Sequence, residues 1–461
     1  MFNNEPVIRA TKTESIGLVV VIVALISLCM IVLKTVPHIP IIVSILLLLG
    51  FGISKKISMN DLQSGMTAGA SSGLSAVFLF FFIGMIISAF MISGTIPTLI
   101  YIGLHIADWP FYFAIVFVIT AIIGMSIGSS LTTVATLGVA FIGVSTALDV
   151  SLAVTAGAIV SGAFFGDKMS PLSDTTNLAS SIVEVDLFEH IKNMAWTTVP
   201  AFIISLLVFG LLSPGENAGT AAAQIGNLQQ GLSDAGGVHW YGLLPLVLLL
   251  VLAVKKTPAI LSLAVTIVFS IALSYLHSFT SLADLSGLLF EGYKSESGIE
   301  EIDSLLTRGG INSMMFTVAL VILALGLGGL LFKLGIIQTL LGLIENKLKK
   351  ASSTLVSAAF TAIGINAVIG EQYLSILLTG ESFKRPIDDL NLARKNLSRV
   401  LEDAGTVINP LVPWGVCGVF ITNVLGVSTL TYLPFAVFCL ASPILTVIFS
   451  ATGWTITKNK M

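Results

Sequence analysis

The dominant constraint on this chain is a succession of apolar stretches, each about as long as a bilayer is thick. They occupy 16–33, 39–54, 74–93, 194–212, 239–254, 258–276, 312–331 and 431–452, and a helix needs roughly 17–25 such residues to cross a membrane. In hydrocarbon every backbone N–H and C=O must be satisfied within the protein, which leaves only helices or closed barrels. These runs are too long for barrel strands and lack strict alternation. Only 10% of the residues are charged, against about 25% in soluble domains. An all-α polytopic membrane protein is therefore expected.

Four segments depart from the simple pattern. Residues 150–183 and 400–426 are apolar runs broken by polar, Pro-containing segments. Residues 111–148 and 351–380 read as helical hairpins turning at GMSIGSS and GINAVIGEQ, while 334–346 is short enough to lie in the membrane interface. The two halves repeat these features in one order. MNDLQSG at 59–65 parallels LADLSG at 282–287, and SGLSAVFLFFFIGMII at 72–87 parallels GGINSMMFTVALVILA at 309–324. The turns at 124–128 and 364–370 correspond, as do MSPLSDTTN at 169–177 and INPLVPWGV at 408–416. Each half then holds about five spans plus one hairpin. An odd number inverts the second copy, giving two inverted-topology repeats with broken helices at the centre. The expected division is an N-terminal segment 1–15, a first repeat 16–212, an external linker 213–238, a second repeat 239–452 and a tail 453–461.

Charge distribution gives an independent check, because basic residues collect on the cytoplasmic side. With both termini inside, all but Lys34, Lys168, Lys294 and Arg308 of the 22 basic residues fall there, and 213–239 has no Lys or Arg. The hairpins then enter from opposite faces, the first flanked by Asp108 and Asp149 outside. The second is flanked inside by Lys347, Lys349 and Lys350 and by the basic run 384–399, read as a solvated segment. The first apolar run has no small-residue cleavage site and reads as a span, not a removed signal peptide. Cys29, Cys417 and Cys439 lie in apolar runs and suggest neither disulfides nor a metal site.

The segment GAFFGDKMSPLSDTTNLAS at 162–180 concentrates the chemistry. Asp167, Lys168, Ser170, Ser173, Asp174, Thr175, Thr176 and Asn177 fall within eleven positions of a small, apolar neighbourhood. A carboxylate at a helix centre costs about 2.5–3.5 kcal/mol on insertion scales, so such residues face water, an ion or a partner. Pro171 removes a backbone donor and frees carbonyls. Ser, Thr, Asn and carboxylate oxygens suit a hard alkali cation. Asp174, followed directly by Thr175, Thr176 and Asn177, is the leading titratable group, and Asp174, Thr175 and Asn177 are the expected sodium ligands. Asp167 comes second, with Lys168 placed to pair with it. The competing reading makes this stretch a solvated loop whose hydroxyls cap the next helix.

The other intramembrane candidates are Glu371 at the second hairpin turn, with Asn366 and Gln372 nearby, and Asn409 in the second break. A hairpin whose turn reaches the surface is the alternative for Glu371, whose first-half counterpart is Ser129 and Ser130. Glu402 and Asp403 are expected at the cytoplasmic start of the second broken helix, as N-terminal acids. The five histidines fall near span ends, an interfacial placement.

SGAFFGDKMSPLSDTTNLAS resembles the signature of the NhaC family of sodium/proton antiporters, and the NPLVPWG segment, length and hydropathy extend the resemblance over the whole chain. The resemblance implies a multi-pass protein of a bacterial cytoplasmic membrane that exchanges external protons for internal sodium. Sodium and protons would be cargo rather than cofactors. The bilayer, and a homodimer as assembly, are the expected partners, with no nucleic acid. Relatives that exchange malate, lactate or amino acids keep a small organic acid as the alternative cargo. Its carboxylate would want an intramembrane Arg, and no predicted span contains one. An enzyme is not expected: HExxH is absent, and no histidine sits deep enough to activate Ser126, Ser129 or Ser130.

Overall fold

Helices form where the apolar runs demand them, and side-chain caps such as Thr11, Ser58, Ser151 and Asp186 start several of them. The structure is a computed structural model that describes residues 6–107, 110–213, 226, 229–234, 236–298, 302–303, 306–345 and 350–459. Most of the expected linker 213–238 lies outside the described residues, as do 1–5, Asp108, Lys347, Lys349 and the end of the tail.

The first half comprises α1 (Lys12–Ser27), α2 (His38–Ser54), α3 (Met59–Ser72), α4 (Leu74–Ile92), α5 (Thr95–Ala107) and α6 (Tyr112–Ile127). These are followed by α7 (Ser130–Ala147, with a π turn at Val134–Gly138), α8 (Leu152–Met169), α9 (Asp174–Ile182) and α10 (Leu187–Leu212). The second half contains α11 (Leu244–Val254), α12 (Ala259–Ser274), α13 (Leu282–Glu291), α14 (Ile311–Lys333), α15 (Ile336–Glu345), α16 (Ala351–Ile369) and α17 (Gln372–Asp389). It closes with α18 (Lys395–Leu411), α19 (Val416–Leu425), α20 (Thr429–Phe435) and α21 (Val437–Thr452). Among the described residues, six helices are long and apolar enough to cross a membrane, or eight when each of two bent pairs counts as one.

Burial follows the rule of a lipid solvent. Leu211 is 86% exposed and Val268 67%, whereas Lys168, Arg399, Glu402 and Asp403 are fully buried. A soluble domain avoids burying charge in this way. Here large apolar side chains lie on the outside, and the buried charges lie inside an otherwise mostly apolar core, where membrane bundles place them.

Three local devices shape the scaffold. The first is the pair of serine caps. Ser58 accepts from Asp61 N at 3.1 Å and donates to its carboxylate at 2.7 Å, and Ser281 does the same with Asp284 at 3.2 and 2.7 Å. The second is the hairpin turn. Gly128 and Gly370, at φ 70° and 75°, close α6 and α16 in the left-handed conformation glycine favours. The third is close helix contact: a Cβ on Gly69 of α3 would meet Leu325 O and approach Gly329 Cα of α14 to 2.8 Å. Small residues let membrane helices pack backbone to backbone.

The structure revises several expectations. α5 forms in a stretch to which no element was assigned, because at 13 residues it is shorter than a span. α17 runs past 380 to Asp389. The basic run 384–399 is ordered by ion pairs and is not simply solvated. Arg394 grips Asp388 at 2.7 Å and Glu184 at 2.5 Å, and Lys384 and Arg394 hold the exposed Glu184 carboxyl below its ordinary value. Arg399 is buried outright. His190, expected at an interface, is buried too, its Nδ1 bonded to Ser398 Oγ at 2.8 Å.

Gly329→Val tests the α3–α14 contact. Overpacking of this kind costs about 1–3 kcal/mol, so the melting midpoint in detergent is expected to fall. An unchanged midpoint contradicts the contact.

Candidate functional site

The first break forms because α8 has no regular continuation past Met169. Ser170 N–H donates to Asp167 O at 3.1 Å, Pro171 follows, and Ser173 restarts the chain as N-cap of α9, accepting from Thr176 N at 3.3 Å. Asn177 Nδ2 donates to Pro171 O at 3.0 Å and Ser173 O at 2.7 Å, satisfying carbonyls the break leaves over. Thr176 Oγ1 likewise donates to Lys168 O at 3.1 Å. Asp174 and Asn177 share the exposed face of α9, while Thr175 and Thr176 point into the protein. Buried Ser173 and Thr175 bond through their hydroxyls at 3.1 Å, and Ser170 Oγ accepts from Leu172 N at 3.2 Å.

The first hairpin turn packs onto this break. A Cβ on Gly128 would stand 2.7 Å from Leu172 Cβ and 3.0 Å from Ser170 Oγ. Just beyond, Ser130 donates its N–H and hydroxyl to Asp167 Oδ2, at 3.1 and 2.7 Å. The second turn treats the second break in the same manner. Gly370 O accepts from Val416 N at 2.8 Å and Asn409 Nδ2 at 3.1 Å. Asn409 Nδ2 also donates to Asn366 Oδ1 at 2.7 Å, and Asn409 Oδ1 accepts from Cys417 N at 2.9 Å. Glu371 is buried and caps α17 by accepting from Leu374 N at 2.7 Å. Its place matches that of Ser129, the N-cap of α7.

Lys168 does not pair with Asp167. Its ammonium binds Asp403 of α18, both side chains being completely buried, and reaches Ser442 Oγ at 3.1 Å. Ser442 also donates to Asp403 Oδ1 at 2.5 Å, Thr197 of α10 donates to Oδ2 at 2.8 Å, and Thr446 completes the shell. Glu402 and Asp403 thus belong to the interior, in the π turn Leu401–Thr406 of α18, and not to its start. The sequence reading missed this pair because the partners are 235 positions apart. Two signals could have found it. An isolated central lysine needs an acid, and Ser442 and Thr446 lie four apart on one face of an apolar helix.

The elements carrying the predicted residues converge. Asp167 and Asp174 act on each other through space, and Tyr373 beside Glu371 senses both. Among the described residues no three His, Cys, Asp or Glu side chains gather as a transition-metal site would need. The donors here are carboxylate, hydroxyl and amide oxygens, which suit alkali cations.

Residues 162–454 match the model of the Na+/H+ antiporter family. This chain belongs to that family. It is 42% identical over 455 residues to the Na(+)/H(+) antiporter NhaC of Alkalihalophilus pseudofirmus, a match covering 98% of both chains. To the Na(+)/H(+) antiporter NhaC of Bacillus subtilis it is 38% identical, over 95% of this chain and 98% of the relative. The malate-2H(+)/Na(+)-lactate antiporter of Bacillus subtilis is 34% identical over 88% of this chain and 88% of its own. The family assignment therefore covers the breaks, the second hairpin and the buried pair alike.

Removing one partner of a buried pair leaves the other uncompensated, at about 3–5 kcal/mol. Lys168→Ala is expected to lower the melting midpoint sharply. Adding Asp403→Asn to Lys168→Met is expected to recover part of the loss, and a double variant no more stable than Lys168→Met contradicts the pairing.

Proposed function

We propose that the protein exchanges sodium for protons across a bacterial cytoplasmic membrane by alternating access, supporting sodium extrusion and pH homeostasis. The observation that carries this reading is the meeting of two helix breaks and two hairpin turns around oxygen donors and buried acids. Membership in an antiporter family supports it, as do two NhaC relatives matched over nearly their whole length. Sodium first meets Asp174, with Asn177 beside it on the exposed face of α9. Thr175, expected as a third ligand, turns inward to Ser173 and with Asp167, Ser170, Ser173 and Thr176 shapes the break. Asn366, Glu371 and Asn409 fix the opposite turn.

The chain is organised as two inverted repeats. In support, matched devices recur in order: the Ser58 and Ser281 caps, the left-handed Gly94 and Gly335 before α5 and α15, and the Gly128 and Gly370 turns. The breaks after Met169 and Leu411 complete the series. Both termini lie on the cytoplasmic side, as the distribution of Lys and Arg favours. Rocking one element group against the other then opens the shared site to each side in turn.

A second reading draws on Arg399, whose guanidinium is buried with Nε and Nη2 unpartnered. Such an edge suits a carboxylate, and one relative is a malate/lactate antiporter. Purified protein in liposomes with an internal pH dye separates the two. Sodium added outside is expected to alkalinise the interior without any organic acid, and Asp174→Asn is expected to reduce that signal to background. A signal that appears only with malate, lactate or an amino acid overturns the sodium/proton reading in favour of the second.

A further inference from the structure

The π turn of α18 places two side chains in the centre of the protein with nothing to bind them. Glu402 is completely buried and neither carboxylate oxygen has a hydrogen-bond partner; the buried Thr406 hydroxyl is equally unpartnered. Thr406 is near enough to act on the carboxylate without reaching hydrogen-bond geometry. π turns are rare and concentrate at functional sites. Buried polar groups otherwise find partners almost without exception, so an orphaned carboxylate with an orphaned hydroxyl beside it has the makings of a cation site.

Charge balance sharpens this. Asp167, Lys168 and Asp403 all act on Glu402 through space, and Arg399 acts on Asp403. With these five groups ionised, three acids face two bases and the cluster carries one excess negative charge. Asp403 is matched by Lys168 and three hydroxyls, and Asp167 by Ser130. Of the three acids, Glu402 is the one whose carboxylate oxygens have no hydrogen-bond partner. A charged carboxylate is not tolerated in a dry interior without a compensating partner. One proton restores neutrality, and so does one sodium ion; both together overshoot it.

The surrounding elements bring further titratable groups, two of them acids. α16 carries no ionisable residue, α17 brings Glu371 and Tyr373 at its start, α9 brings Asp174 and α21 Cys439. His190 of α10 acts on Lys168 and Asp403, and its Nδ1 is held by Ser398.

We propose that Glu402, with Thr406 beside it, is the group on which a proton and a sodium ion exclude one another, an assignment that rests on the sodium/proton reading above. Asp174 then serves as a ligand on the approach, and Glu402 is the group whose occupancy switches. The proton leaves the carboxylate as sodium arrives and returns as sodium departs, so neither ion crosses alone.

The test uses the full-length protein in liposomes. Glu402→Gln keeps the shape and removes the charge, and is expected to bring sodium-driven alkalinisation down to that of protein-free vesicles. Because that variant can also fail by misfolding, wild-type protein is treated in parallel with dicyclohexylcarbodiimide, which adds to protonated carboxyl groups in apolar surroundings. Peptide mass spectrometry is expected to find the adduct at Glu402, and the labelled fraction is expected to fall when sodium chloride, but not choline chloride, is present. Wild-type exchange in Glu402→Gln overturns the assignment. So does an exchange-competent wild type in which Glu402 stays unlabelled, or is labelled equally with and without sodium. A wild type that moves no protons in response to sodium instead removes the underlying reading, and this assignment with it.

Discussion

The ion pair between Lys168 and Asp403 joins the two broken helices at full burial. Taking either charge out of water costs several kcal/mol even after relaxation, so the pair exists only because its surroundings complete it. Asp403 receives donors from four different positions: Lys168 on α8, Thr197 on α10, and Ser442 and Thr446 on α21. Each donor fixes the distance of its own helix from α18. The pair is therefore a registration device as much as an attraction, and the geometry of the whole centre depends on it. A hydrophobic substitute of equal volume would pack, but nothing in it would set the relative height of α8 and α18.

Breaking two helices inside a bundle creates its own difficulty, since each interruption leaves carbonyls and N–H groups without partners. Side chains at the breaks, and others brought in from the facing turn and the next helix, solve most of it. Asn177 closes the turn around Pro171, Thr176 reaches back to Lys168 O, and Asn409 bonds both Asn366 and Gly370 O. Tyr432 donates to Pro410 O at 2.6 Å. Many of the polar residues that stand out in the sequence are thus committed to holding the breaks open. Those with free capacity for an ion are fewer: Asp174 on the exposed face, and Glu402 and Thr406 within.

This division explains what could be read from the sequence. The two breaks, the hairpin turns and most spans were legible because apolar length, Pro and Gly are local signals, and the left-handed Gly128 and Gly370 lie where the motifs put them. But 431–452, read as one span, bends by 62° between α20 and α21, and 239–254 forms only the 11-residue α11. The residues around Asp174 were legible as a cluster for the same reason. The partner of Lys168 was not, because contact between distant segments leaves no trace in local pattern, and Asp167 next door seemed the natural choice. Arg399 was hidden by its company, a basic run mostly at the surface, with nothing to mark the one member turned inward. Helix α5 was passed over because 13 residues fall short of a crossing.

The same reasoning bears on why one scaffold serves different cargoes. The malate-2H(+)/Na(+)-lactate antiporter aligns with this chain over 88% of both chains, so a shared scaffold does not by itself decide whether an organic acid is carried. Fold does not fix function, which lies in the charge and donors left over once the scaffold is satisfied. In this chain the buried remainder includes a carboxylate without a hydrogen-bond partner, Glu402, with the Thr406 hydroxyl beside it. A centre short by one positive charge accepts one small cation, and it does so by neutralisation rather than by shape. On the assignment of Glu402, proton and sodium compete because either one neutralises the same carboxylate. Combined with rocking that opens the site to one side at a time, a site that is never comfortable empty gives obligatory exchange.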